Sequence, residues 1–211
     1  MRQDRPVRRT WSVVVPVKDS TVGKSRLSAY ADARPALARA LALDTLAAVA
    51  ACRAVGTVVV VTSDDTVAAH ASRVTRHVVV PDPGGGLDAA IVAGLATLQS
   101  SSGPVAVLTA DLPALTAAEL EDALVLAEAH PLAVVPDADG TGTTLLAATD
   151  VELLEPRFGV DSLAAHLAQD AASLPAGPGL RRDTDLPEHL DVLGPSLGPR
   201  TTDVLARLRV R

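Results

Sequence analysis

Short runs of β-branched residues alternate along the chain with longer stretches of helical period. The run WSVVVPV at residues 11–17 has polar residues on both sides, which predicts a buried strand. Residues 35–52 are rich in Ala and Leu and carry Pro in the first turn, which predicts a helix. The predicted strands are residues 11–17, 56–62, 77–80, 104–109, 132–135 and 143–148, and the predicted helices are residues 35–52, 64–74, 87–99, 116–129, 163–169 and 201–209.

This alternation predicts an α/β fold of three layers, in which a mostly parallel mixed sheet has helices on both faces. Residues 1–10 are polar and are expected to form a flexible tail before a single domain over residues 11–211. Ligands of such sheets bind beyond the carboxyl ends of the strands. The loops that follow the strands are therefore the first candidates for function.

Composition argues against several classes of protein. The net charge is −6 and the chain has one Trp, one Tyr and one Phe, so nucleic acid is not an expected partner. No apolar run approaches the ~20 residues of a membrane span, and we expect a cytoplasmic protein without a membrane partner. Cys52 is the single cysteine, and the five histidines show no helical pairing, so a disulfide framework, a zinc site or a Ser-His-Asp arrangement has little support.

Both lysines of the chain lie in the loop after the first predicted strand. Seventeen of the nineteen basic residues are Arg, yet Lys18 and Lys24 occur in one segment, PVKDSTVGKSRL, together with Arg26. Backbone amides of a Gly-containing loop and fixed cations suit a polyphosphate. A Walker A motif is disfavoured because it requires Gly where Lys18 stands. A solvated surface loop is the alternative interpretation.

A glycine-rich loop follows the third predicted strand. In PDPGGGLDAA, three glycines allow the backbone to approach a ligand closely, and a helix N-terminus follows. This loop, with Gly85 at its centre, is a candidate nucleotide contact. A simple flexible turn is the alternative.

Carboxylates follow the fourth predicted strand and recur near residue 183. Asp111 ends an apolar strand, where a carboxylate is costly unless it is exposed, paired or bound to metal. Magnesium bound to phosphates takes one or two protein carboxylates, and Asp111 fits that position. Asp183 and Asp185 are two residues apart on an extended segment and point the same way, so one of them would complete a site with Asp111. Helix capping or a structural hydrogen bond is the alternative for Asp111.

Two further loops carry small and hydroxyl residues. Residues 136–144 (PDADGTGTT) supply glycines and Thr hydroxyls that suit an anion, while Asp137 and Asp139 are turn residues or ligands. Residues 158–162 (FGVDS) precede a helical stretch whose first amides are a second candidate anion site.

Taken in order, these segments resemble the CofC/FbiD guanylyltransferases of deazaflavin coenzyme F420 biosynthesis. The resemblance rests on PVKDSTVGKSRLS, TSDD, PDPGGGLDAA, LTADLPAL, DADGTGTTLL, FGVDS and LRRDTDLPEHL, and it covers about residues 10–195. It implies the nucleotide-diphospho-sugar transferase (GT-A or MobA-like) fold. It also implies transfer of GMP from GTP to phosphoenolpyruvate, giving enolpyruvyl-2-diphospho-5'-guanosine and pyrophosphate.

The resemblance further implies a role for each matching residue. The implied Mg²⁺ ligands are Asp111 and Asp183, with GTP as co-substrate. The implied contacts to the three-carbon phosphoacid are Thr143, Gly159 and Ser162. The implied triphosphate contacts, which would stabilise the departing pyrophosphate, are Lys18, Lys24 and Arg26.

One residue of the glycine-rich loop departs from the family pattern. Asp88 stands where family members commonly have Asn. An Asn amide donates and accepts hydrogen bonds, whereas an ionised Asp only accepts. If Asp88 faces the nucleotide, its contact differs from that of Asn or the selectivity for guanine loosens.

Several functional alternatives stay open on the sequence alone. 2-Phospho-L-lactate is an alternative acceptor for the same reaction, and the next transferase of the pathway is a candidate partner. A molybdopterin guanylyltransferase is disfavoured because the first strand runs directly into Pro16-Val17-Lys18 instead of a richer glycine loop. A non-catalytic GTP-binding regulator would leave Asp111 and Asp183 without a role.

Overall fold

The computed structural model describes residues 10–20, 33–74, 76–98, 103–185 and 187–209. In this part of the chain, seven strands form one sheet in the order β3-β2-β1-β4-β6-β5-β7. The strands are β1 (Trp11–Val17), β2 (Val55–Thr62), β3 (His77–Val80), β4 (Val105–Leu108), β5 (Leu132–Pro136), β6 (Thr143–Ala148) and β7 (Ala172–Ser173). The helices are α1 (Arg34–Ala51), α2 (Asp65–Ala71), α3 (Leu87–Ala96), α4 (Ala117–Ala127), α5 (Ser162–Leu167), α6 (Pro178–Arg181), α7 (Pro187–Leu193) and α8 (Pro199–Arg209).

The direction of β6 decides which loops meet at one edge of the sheet. β1 pairs in parallel with β2 and β4, β2 with β3, and β5 with β7. β6 runs antiparallel to both of its neighbours, β4 and β5. The start of β6 at Thr143 therefore lies at the edge where the parallel strands have their carboxyl ends. The loop that joins β5 to β6 is part of the same edge.

The two faces of the sheet bury alternate residues of each strand against different helices. On one face, Val13 and Val15 of β1 belong to a core with residues of α1, α2, α4 and α6. On the other face, Val14 belongs to a second core with residues of α3. At Gly94 of α3, an added Cβ would lie 2.6 Å from Val14 Cγ1, so glycine is what lets α3 pack this closely.

A buried carboxylate attaches the last helix to the first. Asp44 of α1 is 6% exposed, and its Oδ2 accepts from the backbone N–H of Thr201 at 2.8 Å. Its Oδ1 accepts from the N–H of Arg200 at 3.2 Å. Asp44 thus satisfies amides in the first turn of α8, which would otherwise lack partners.

The predicted α/β class and the mostly parallel mixed sheet are confirmed. β1, β3 and β6 have the predicted bounds, and the other predicted elements differ at their ends by a few residues. β7, α6 and α7 were not predicted from the sequence. The expected tail at residues 1–10 lies outside the described residues except for its last position. No helix in the described ranges is long and apolar enough to cross a membrane.

Candidate active site

Two cavities open at the edge of the sheet that carries these loops. The larger, which we call the acidic cavity, has a volume of about 530 Å³. Its lining includes Asp111, Thr143, Gly159, Ser162, Asp183 and Asp185. The smaller, which we call the glycine-loop cavity, has a volume of about 230 Å³ and is lined by Lys18, Gly86 and six other residues. Leu87 lines both cavities, so the two are neighbours.

Three carboxylates converge in the acidic cavity. Asp111 follows β4, while Asp183 and Asp185 lie in the extended segment between α6 and α7. One oxygen from each of the three lies within 4.8 Å of the others. The backbone N–H of Thr184 donates to the carbonyl of Asp111 at 3.0 Å. This bond holds the segment beside Asp111. The extended backbone of the segment places the side chains of Asp183 and Asp185 on the same side.

The donor set in this cavity fits a hard divalent cation. Three carboxylates supply oxygen ligands, which Mg²⁺ prefers. Thr109 lines the same cavity, and its buried hydroxyl has no hydrogen-bond partner among the described residues. A polar cavity with such a group accommodates a cation with its water shell.

The segment that carries Asp183 is braced from two sides through α6. Glu119 of α4 accepts from the backbone N–H of Gly179 at 2.9 Å. A Cβ at position 179 would lie 2.4 Å from the carbonyl oxygen of Ala114, so glycine is required for this approach. Arg181 donates to the carbonyls of Pro136 at 3.2 Å and Asp137 at 2.7 Å. These bonds tie α6 to the end of β5.

The loop between β5 and β6 is ordered by one of its own carboxylates. Asp137 Oδ1 accepts from the N–H of Thr141 at 3.0 Å, and Oδ2 accepts from the N–H of Gly142 at 2.8 Å. Of the two roles expected for Asp137, the structure shows that of a turn residue. The carbonyl of Thr141 accepts from Leu163 N–H at 3.1 Å, which holds the start of α5 beside the loop.

A buried histidine lies behind the predicted phosphoacid contacts. His166 is 0% exposed, and its Nδ1 lies 2.9 Å from Thr143 Oγ1. Its Nε2 accepts from the backbone N–H of Arg157 at 3.1 Å. Burial lowers the pKa of His166, although the charge of Asp88 opposes that shift. Because Nε2 accepts a hydrogen bond, the ring is not doubly protonated.

The glycine-loop cavity is bordered by the loop that follows β3, which contributes Asp82 and Gly86 to its lining. Gly84, Gly85 and Gly86 have φ angles of 78°, 88° and 101°, a region that L side chains rarely adopt. Gly86 is the N-cap residue of α3, whose first amides face this end of the loop. Asp82 Oδ1 accepts from the N–H of Gly84 at 2.9 Å. The positive φ angles are therefore the reason that this loop needs glycine at three consecutive positions.

Asp64 connects the glycine-loop cavity to two helices. It is 2% exposed, caps α2, and accepts from Ser20 Oγ at 2.6 Å and from Arg39 Nε at 2.9 Å. Burial alone would raise the pKa of Asp64, but the bonds from Ser20, Arg39 and Val67 N–H lower it from 3.8 to about 2. Since Ser20 follows Lys18 by two residues, Asp64 fixes the start of the basic loop.

The structure brings most of the predicted site residues to the two cavities. Lys18 lines the glycine-loop cavity, and its side chain is exposed. Lys24 and Arg26 lie outside the described residues. Gly85 belongs to the glycine loop but lies outside the described lining of both cavities.

Asp88 is also outside these linings. Its Oδ1 accepts from the backbone N–H of Phe158 at 3.0 Å. Asp88 thereby joins the first turn of α3 to the loop that carries Gly159. The predicted contact of Asp88 with the nucleotide stays a prediction. What the structure shows is its bond to the backbone of Phe158.

Two residues of the site were not among the predicted site residues. Asp185 completes the carboxylate cluster, and its spacing of two from Asp183 was the signal for it. His166 has no comparable signal, because its partners lie 23 and 9 positions away in the chain.

Known proteins share both the sequence and the fold. The family model described as guanylyl transferase CofC like matches residues 11–173. The phosphoenolpyruvate guanylyltransferase of Streptomyces coelicolor is 45% identical over 207 residues, covering 95% of this chain and 98% of that protein. The phosphoenolpyruvate guanylyltransferase of Salinispora arenicola is 48% identical over 197 residues, covering 90% and 91%. A crystal structure of a candidate nucleotide-diphospho-sugar transferase from Desulfovibrio desulfuricans has a TM-score of 0.71 at 16% identity and 95% coverage of each chain, which shows a shared fold.

Proposed function

This chain belongs to the CofC-like guanylyltransferase family, and from that premise we propose that it transfers GMP from GTP to phosphoenolpyruvate with release of pyrophosphate. The observation that carries the proposal is the cluster of three carboxylates in a cavity beside the glycine loop. A phosphoryl-type transfer between two anions needs concentrated positive charge, and this cluster is where a cation would supply it.

Each cavity has a proposed substrate. We assign the nucleotide to the glycine-loop cavity, where peptide N–H groups and Lys18 suit a triphosphate. We assign the phosphoacid to the acidic cavity, where Thr143, Gly159 and Ser162 would contact it. Leu87 lines both cavities, so the two substrates would meet beside it.

The proposed reaction forms one bond and breaks another at the α-phosphorus of GTP. An oxygen of the acceptor phosphate bonds to that phosphorus, and the bond to the bridging oxygen of pyrophosphate breaks. The acceptor phosphate is largely ionised at pH 7, so no strong general base is required. Catalysis then rests on positioning and charge stabilisation.

We assign the cation site to Asp111, Asp183 and Asp185. Bound Mg²⁺ would neutralise phosphate oxygens of both substrates. Lys18, Lys24 and Arg26 are the proposed cations for the departing pyrophosphate. A compact ammonium on a flexible stem suits a phosphate group whose charge moves during the reaction.

The test is a pyrophosphate-release assay with GTP and Mg²⁺ in three parallel arms. The arms contain phosphoenolpyruvate, 2-phospho-L-lactate or 3-phosphoglycerate, each coupled to the next enzyme of the pathway if the product is unstable. We expect release with phosphoenolpyruvate and none after chelation of the metal. Release with 2-phospho-L-lactate alone would mean that this compound, and not phosphoenolpyruvate, is the acceptor. GTP binding without release in any arm would contradict the proposed reaction and favour a non-catalytic GTP-binding regulator.

A further inference from the structure

The environment of His166 fixes which of its ring nitrogens carries the proton. A backbone N–H only donates, and Arg157 N–H points at Nε2 at 3.1 Å. Nε2 must therefore present its lone pair. A neutral imidazole has one N–H, which is then on Nδ1 and donates to Thr143 Oγ1 at 2.9 Å.

This tautomer determines which hydrogen bond the Thr143 hydroxyl can still form. An oxygen that accepts from Nδ1–H keeps its own hydrogen for another acceptor. Thr143 is 6% exposed and lines the acidic cavity, so its small accessible surface faces that space. The acceptor substrate assigned to this cavity carries only oxyanions as strong hydrogen-bond acceptors.

The surrounding contacts hold the imidazole in place. The rings of His166 and Phe158 meet edge to face, with centroids 5.0 Å apart. The N–H of Phe158 donates to Asp88, while the preceding amide, of Arg157, donates to His166. Two consecutive amides are thus held by side chains from α3 and α5, directly before Gly159. Burial also lowers the pKa of His166, which favours the neutral imidazole.

We propose that His166 is a positioning residue that sets the Thr143 hydroxyl as a hydrogen-bond donor to an oxyanion of the acceptor substrate. The inference rests on the proposed function, because it takes the acidic cavity as the acceptor site. His166 itself touches no substrate. It acts by holding the Thr143 oxygen as an acceptor on one side, which leaves the hydroxyl hydrogen for the other.

Two substitutions at one position separate this role from a structural one. His166→Asn places an amide N–H near the position of Nδ1 and lacks the group that receives Arg157 N–H. His166→Gln places an amide oxygen near the position of Nε2 and lacks the donor to Thr143. We expect His166→Gln to raise the acceptor KM about tenfold and His166→Asn to raise it less than about threefold. The KM for GTP should change less than about twofold in both.

Further variants serve as checks in the same assay. Thr143→Val should raise the acceptor KM about as much as His166→Gln, and the double variant should add little to either. His130→Gln, which lies at the opposite edge of the sheet, should leave every constant unchanged. If His166 only supported the 157–159 backbone, His166→Asn would be the more damaging of the two variants. That order, or equal effects, would overturn the proposal.

A measurement on the unaltered protein separates this inference from the proposed function. In ¹⁵N-labelled protein, imidazole ¹H–¹⁵N correlation spectra report which nitrogen of each histidine carries the proton, with the His166 signals assigned by their loss in His166→Asn. We expect Nδ1–H at pH 7, whether or not pyrophosphate is released with any acceptor. An Nε2–H or doubly protonated ring would overturn the inference. Silence in the release assay with Nδ1–H present would overturn the proposed function and leave the tautomer and its bond to Thr143 standing.

Discussion

The acidic cavity and the glycine-loop cavity share one wall at Leu87 but are built in different ways. Around the acidic cavity, side chains from separate elements hold the walls. Arg181 donates to the end of β5, and Glu119 accepts from α6. His166 bonds the start of β6 at Thr143 and accepts from the backbone N–H of Arg157. Around the glycine-loop cavity, Asp64 accepts long-range bonds from Ser20 and Arg39. The glycine loop itself has a local side-chain bond, from Gly84 N–H to Asp82.

This difference matches the chemistry that each cavity is proposed to perform. Carboxylates that hold a cation must keep a fixed mutual geometry, which long-range braces supply. The proposed contacts to a triphosphate are instead peptide N–H groups of the glycine loop, where glycine lets the backbone approach a ligand closely. Substitutions at the acidic cavity should therefore reduce kcat or the acceptor affinity, and those at the glycine-loop cavity should act on GTP.

The largest expected effect is at the carboxylate cluster. Asp111→Asn removes one negative charge from the three-carboxylate site while keeping the side chain's shape. We expect pyrophosphate release to fall at least about a thousandfold, because the transition-state charge loses its cation, with little change in the melting temperature. We expect the same loss of pyrophosphate release in Asp183→Asn. Because Asp185 is the proposed third ligand, Asp185→Asn should lose it as well.

Asp139→Asn is the matched control for these variants. Asp139 lines the same cavity but is exposed and lies outside the cluster. We expect its release rate to stay within about threefold of the unaltered protein. A loss as large as that of Asp111→Asn would mean that the general negative charge of the cavity matters rather than the three-carboxylate geometry, and near-normal release by Asp111→Asn would contradict the metal assignment.

The next largest effect is on folding, at the Asp64 brace beside the glycine-loop cavity. Because the pKa of Asp64 is about 2 instead of 3.8, its ionisation contributes about 2 kcal/mol to the free energy of unfolding. That contribution is complete above about pH 4 and disappears as the pH falls towards 2. Urea unfolding of Asp64→Asn should show a loss of about 2 kcal/mol at pH 7 and a smaller loss near pH 3.

Asp65→Asn serves as its control, since Asp65 is exposed on the next position of the chain. We expect a change below about 0.5 kcal/mol at either pH. A pH-independent difference between Asp64→Asn and the unaltered protein would mean that packing, rather than the ionised carboxylate, is what Asp64 contributes.

Local pattern predicted the central strands and helices because each is long enough to show its period. β7 has two residues and α6 has four, so neither leaves a pattern in the sequence. The direction of β6 was not predictable either, since it depends on pairing with β4 and β5 rather than on the residues of β6. That direction is what brings Thr143 to the site.

The residues of the candidate site also differ in whether the local sequence predicts them. Asp111 was predictable because a carboxylate that ends an apolar strand is costly without a function. Asp185 follows from the extended geometry of its own segment. The bonds of Asp88 and His166 to the 157–158 backbone depend on contacts between distant elements, which composition and spacing do not encode.

A smaller effect is expected at the brace of α6. Glu119→Ala removes the capping-box bonds to Thr116 and leaves the N–H of buried Gly179 without its partner. We expect a loss of about 1–2 kcal/mol in unfolding free energy and a reduced kcat, because the segment that carries Asp183 loses its support. Glu128→Ala, at the exposed end of the same helix, should change stability by less than about 0.5 kcal/mol. Equal effects of the two would contradict the brace.

The smallest expected effect comes from glycine-to-alanine substitutions, which can be made in the loops beside both cavities. Gly85 and Gly140 have similar φ angles of 88° and 75°, and an added Cβ meets nothing closer than 3.4 Å at either. Alanine should therefore cost each about 1 kcal/mol of backbone strain. Gly85→Ala should raise the KM for GTP about threefold and leave the acceptor KM unchanged. Gly140→Ala should barely change either constant, because Asp137 holds that loop by two bonds. The reverse result would contradict recognition of the nucleotide by the glycine-loop backbone.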